Sequence, residues 1–68
     1  MANEQPSTHP FKIIVRPCTI RPERLRWEVH ENGVQREFSG DSFATEAEAS
    51  AEGHRAMERC IAHWQIGR

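Results

Sequence analysis

A chain of 68 residues with two cysteines and a formal net charge of -1 has room for one small domain, which buries only about 60% of the surface its unfolded chain exposes. No stretch approaches the ~18 apolar residues of a membrane span. The segment from Met1 to Pro10 also lacks the basic start and apolar run of a secretory signal, so a cytoplasmic protein is expected.

Residues 1–10 are polar, carry two prolines and offer nothing to bury, which predicts a mobile tail before a domain over 11–68. Phe11 to Arg16 is rich in β-branched residues and reads as a strand with Phe11, Ile13 and Val15 on one face. Pro17 has no amide proton to give to a ladder, so this strand is expected at a sheet edge. After a bend over Cys18 to Glu23, the chain alternates. Leu25, Trp27 and Val29 fall on one side and Arg24, Arg26, Glu28 and His30 on the other, the pattern of a half-buried antiparallel strand.

Asn32-Gly33 predicts a two-residue hairpin, because both residues tolerate the positive φ of a type I′ turn. Two registers compete: a two-residue loop pairs Trp27 with Phe38 and Val29 with Arg36 and sets Glu28 opposite Glu37, whereas a three-residue loop pairs Glu28 with Arg36 but sends Phe38 to the face opposite Trp27. With Glu28 taken as exposed, that like-charge pair costs up to ~1 kcal/mol, less than the roughly 1.5–3 kcal/mol of leaving a large aromatic in water. Phe38 is therefore expected beneath the helix, on the side of Trp27.

The helix start is marked by Thr45-Glu46-Ala47-Glu48, a capping box. Beyond it, Ala49, Gly53, Ala56, Met57, Cys60, Ile61 and Trp64 recur at spacings of four and three, an apolar stripe. Gly53 inside that stripe costs about 1 kcal/mol relative to alanine, which is explained if the helix passes close over Trp27. The expected fold is α+β, a three-stranded antiparallel meander with one C-terminal helix packed on one face (βββα). Its predicted core is Phe11, Ile13, Val15, Leu25, Trp27, Val29, Phe38, Phe43, Ala49, Ala56, Met57, Cys60, Ile61 and Trp64.

Nothing in the spacing amounts to a catalytic constellation, so the chain is not expected to be an enzyme. Cys60-x-x-His63 lacks the second ligand pair of a structural zinc site, and His54 with Glu58 lies off the stripe that holds Cys60. Neither a metal nor a cofactor is expected. Cys18 and Cys60 sit in different elements, and no disulfide is expected between them. Cys18, between Arg16 and Arg21, is the better placed of the two for a stabilised thiolate.

What remains is the sheet face opposite the helix, to which alternation assigns Lys12, Ile14, Arg16, Arg24, Arg26, Glu28, His30, Gln35 and Glu37. Charge is uneven along the chain: from Lys12 to Arg26 five basic residues against Glu23 give +4, and from Glu46 to Arg59 four acids against two arginines give -2. The candidate contact residues are Lys12, Ile14, Arg16, Arg24, Arg26 and His30.

The strand order and the run Phe43-Ala44-Thr45-Glu46-Ala47-Glu48-Ala49 at the sheet–helix junction resemble two kinds of small module. One is the arm-type N-terminal domain of phage integrases, whose resemblance implies a DNA-contacting sheet face. In the third strand, Gln35, Arg36 and Glu37 depart from the basic cluster found there. The other is the YegP-type domain of unknown function, which shares the Asn-Gly hairpin, the aromatic before the helix and the short amphipathic helix. The leading expectation is a small non-catalytic binding or regulatory module acting through protein contact, a homodimer included. The second is a weak nucleic-acid binder using the basic side of the sheet. Neither a membrane nor a small-molecule substrate is expected.

Overall fold

A computed structural model describes residues 9–67. Strands β1 (Phe11–Pro17), β2 (Leu25–Glu31) and β3 (Val34–Phe38) form one antiparallel sheet in the order β1-β2-β3, and helix α1 (Glu46–Ile66) lies across one face. This is the expected βββα arrangement. Residues 1–8 of the predicted tail lie outside the described residues. His9 and Pro10 are tied to the domain: His9 Nδ1 accepts from the Phe11 amide at 3.2 Å, and the Pro10 carbonyl accepts from the Asn32 amide at 3.2 Å.

Period-two alternation sends Phe11, Ile13 and Val15 of β1, with Trp27 and Val29 of β2, towards the helix. Phe11, Trp27, Val29, Ala49 and Ala56 are buried. Half-buried Ile13, Val15, Phe43, Met57, Cys60, Ile61 and Trp64 pack around them. The Trp64 ring meets Phe11 edge-on at 6.2 Å between centroids. As Pro17 implies, β1 is an edge strand.

Two local devices fix the helix. Thr45, in extended conformation, caps it by accepting from the Glu48 amide at 3.1 Å, half of the expected capping box. Upstream, Leu25 and Phe43 exchange backbone hydrogen bonds of 2.8 and 2.7 Å, which ties the approach to α1 onto the start of β2. Gly53 then lets the helix settle on the sheet. A Cβ there would lie 3.1 Å from Trp27 Cβ and 3.2 Å from Ile13 Cγ2, closer than ordinary van der Waals contact.

The third strand departs from expectation. Asn32 and Gly33 take φ of 53° and 84°, so the turn is the expected two-residue loop, and Glu31 pairs with Val34 and His30 with Gln35. Arg36 is then an extra residue in β3, a β-bulge, after which Val29 faces Glu37 and Glu28 faces Phe38. Phe38 therefore leaves the predicted core for the outer face, the face away from α1, where it is 59% exposed. Glu37 moves to the helix side.

The cause is the environment of Glu28. It is only 3% exposed, so a carboxylate directly across from it, ~5 Å away, would repel it by roughly 3 kcal/mol at an effective dielectric of ~20. That exceeds what burying the Phe38 ring would recover, since α1 packs on β1 and β2 and leaves β3 largely uncovered.

The bulge absorbs a single residue, so deleting Arg36 is expected to regularise β3 without moving Phe38. The loss should stay within about 1 kcal/mol, mostly from the exposed Arg36–Glu31 ion pair at 2.8 Å. Cross-strand NMR contacts between Glu28 and Phe38 should persist in the deletion variant. Contacts of Phe38 with Trp27 in their place would contradict this account of the register.

Candidate binding face

On the outer face, β1 contributes Lys12, Ile14 and Arg16, directly across from His30, Glu28 and Arg26 of β2. Residues paired across an antiparallel ladder lie on the same side of the sheet, so Gln35 and Phe38 extend this face onto β3. At its centre is Glu28. Arg26 Nη2 donates to its Oε2 at 2.8 Å, His30 Nε2 to its Oε1 at 2.8 Å, and Arg16 Nη2 lies 3.4 Å from Oε1. The His30 hydrogen bond is the main cause that holds the Glu28 carboxyl below its ordinary range; Arg16 and Arg26 add to it and burial opposes it.

Of the six candidate contact residues, three thus converge on one buried carboxylate: Arg16, Arg26 and His30. Lys12 stays exposed and Ile14 is half-buried beside them. Arg24 turns elsewhere. Its Nε donates to Ser42 Oγ at 2.6 Å and its Nη2 to the Ser42 carbonyl at 2.7 Å, so it clamps the segment leading into α1.

Sequence reasoning placed Glu28 on this face but left it out of the contact residues, and it placed Phe38 on the other side, in the core. Glu28 has Arg26 and His30 at positions i-2 and i+2, which share its face of the strand; that spacing was the available signal. Phe38 could be placed only once Glu28 was known to be buried. With Lys12, Arg16 and Arg26 against Glu28, and histidine counted as neutral, the outer face carries a formal +2. The Arg26 Nε is buried with no hydrogen-bond partner among the described residues.

The helix side has a different character. Between the C-terminal half of α1 and β3 lies an open groove of about 610 Å³ that includes Phe11, Glu31, Glu37, Cys60, His63 and Trp64 in its lining. Burial, reinforced by the Glu37 carboxylate, pushes the Cys60 thiol up, the reverse of what a nucleophile needs. Cys18 is lowered by backbone hydrogen bonds from Arg21 and Ile20. Both cysteines are free thiols. Among the described residues no three His, Cys, Asp or Glu side chains come together as a metal site, and no helix is long and apolar enough to cross a membrane.

Comparison with protein-family models, with curated proteins and with solved structures finds no match to this chain.

Proposed function

We propose that this chain is a small non-catalytic binding module that acts through protein contact, with the outer face of the sheet as its docking surface. The observation that carries this reading is Phe38: a large aromatic 59% exposed, next to Glu28 and the side chains pinned on it, with half-buried Ile14 in the same row on the far side of Glu28. Aromatic and arginine side chains are enriched among the anchors of protein interfaces. Face-to-face pairing of two copies would bring together two surfaces that each carry the same excess of positive charge, so an acidic partner surface suits this face better than a second copy.

Isotope-labelled protein titrated with cell extract tests the reading. Amide signals of Lys12, Ile14, Arg16, Arg26, His30 and Phe38 are expected to shift or broaden, before and after nuclease treatment of the extract, and Phe38→Ser is expected to abolish the effect. That variant should fold with a stability loss below about 1.5 kcal/mol, since most of the ring is already in water. Responses confined to the exposed side of α1 would overturn the proposal. Sedimentation at micromolar concentration reports self-association directly.

One observation favours a second reading. Phe38 shares its face with Lys12, Arg16 and Arg26, and an aromatic among cations can stack a nucleotide base; the resemblance to integrase arm domains points the same way. Binding of oligonucleotides that fades steeply with salt would support this alternative, and its absence at low salt would eliminate it.

A further inference from the structure

The two edges of the sheet are not equivalent. β3 is five residues long, broken by the bulge at Arg36, a device that discourages pairing. β1 is seven residues long, pairs with β2 in an unbroken register, and has no strand on its other side among the described residues. Such an edge presents a row of backbone groups to any extended segment that matches its side chains.

Both flanks of that edge are chemically defined. On the outer face an added strand would meet Lys12, Ile14 and Arg16 in succession, a cation, an apolar residue and a cation. On the helix side it would border a groove of about 430 Å³ between β1 and the first half of α1. Ile13, Val15 and Met57 supply its apolar wall; Ser50, His54 and the Glu46 carboxylate supply a polar one, which is why the acids of an added strand belong on the outer face.

We infer that β1 takes up an extended acidic segment of a partner protein as a fourth strand, an inference that rests on the outer face being a protein-docking surface. The segment alternates in chemistry. Its outward residues run acid, apolar, acid opposite Lys12, Ile14 and Arg16. Its inward residues are threonine-like, with a methyl group against Ile13 and Val15 and a hydroxyl towards Ser50 and His54. Main-chain hydrogen bonds supply affinity in such augmentation and alternate side chains supply selectivity.

A second copy of this chain is a poorer occupant. The antiparallel β1–β1 register that pairs all seven residues centres on Ile14 and sets Lys12 opposite Arg16 twice, a repulsive arrangement.

The test uses the full chain, isotope-labelled at low salt, and two capped peptides: Ser-Glu-Thr-Leu-Thr-Glu-Ser and its counterpart with lysine in place of both glutamates. The acidic peptide is expected to shift alternate β1 amides, those directed away from β2, and to give backbone contacts to β1; the lysine peptide is expected to bind far more weakly. Lys12→Glu, a change at an exposed residue that leaves the spectrum of the free protein well dispersed, should weaken the acidic peptide roughly two- to tenfold and bring on binding of the lysine peptide. Equal binding of both peptides to the wild type overturns the inference. Shifts at Phe38 and Gln35 with β1 unmoved overturn strand addition but leave outer-face docking intact. No response to either peptide, with oligonucleotides moving the outer-face signals, overturns both.

Discussion

Gly53→Leu is expected to abolish cooperative folding. A first side-chain carbon added at this position would meet Trp27 Cβ at 3.1 Å and both Trp27 Cγ and Ile13 Cγ2 at 3.2 Å. Two of those atoms sit at the root of a buried tryptophan and have little freedom to move. Leucine adds three further carbons where there is no space, so α1 must lift off the sheet and expose Trp27, Val29 and Ala56. A domain of this size has roughly 3–10 kcal/mol of stability in total, and losing the helix–sheet contact removes most of it. Gly53→Ala is the graded version: about 1 kcal/mol gained in helix propensity against about 1–3 kcal/mol of overpacking, a net loss. Urea unfolding followed by circular dichroism reads both. A leucine variant with the wild-type midpoint would show that the helix does not lie this close.

Glu28→Ala is the second large effect. Removing the acceptor strands Arg26 and His30, which are only partly accessible to water, beside Arg16. Breaking a fully buried pair costs about 3–5 kcal/mol; with water reaching these partners, about 2–3 kcal/mol is expected here. Acid sensitivity follows from the same carboxylate. Its folded-state pKa is depressed, so the unfolded chain takes up the proton first as the pH falls below the ordinary value of 4.5. The stability that Glu28 contributes is fully present above that value and is lost as the pH falls through its folded-state pKa. Glu28→Gln should therefore lose stability at neutral pH yet show a shallower decline on acidification. Unfolding midpoints measured at neutral and acid pH decide this; an unchanged acid slope in the glutamine variant would move the origin of the pH dependence to another group.

The parts of this fold that local chemistry dictates were legible in the sequence. Alternation located β1 and β2, Asn32-Gly33 located the turn, Thr45 located the start of α1, and a glycine in an apolar stripe announced the approach to Trp27. The register of β3 was not legible, because it turns on whether Glu28 is in water. Alternation assigns a residue to a side of the sheet but cannot say that neighbouring side chains fold down over it. Once Glu28 is buried, the repulsion of Glu37 outweighs the gain from hiding Phe38, and the ring emerges on the side that a two-residue register denies it. Arg24 illustrates another limit. Its partner Ser42 is 18 residues away, in a segment without periodicity, so nothing nearby separates it from Arg26.

The unequal cover that α1 gives the sheet has a consequence for motion. β1, β2 and α1 share one apolar centre, whereas β3 is held chiefly by its ladder to β2 and by contacts at its margins. Partial opening should therefore begin at β3, at a free-energy cost below that of global unfolding. Phe38 ends this strand, so the aromatic side of the face is expected to exchange its amide protons sooner than β1, which is fixed on the kernel.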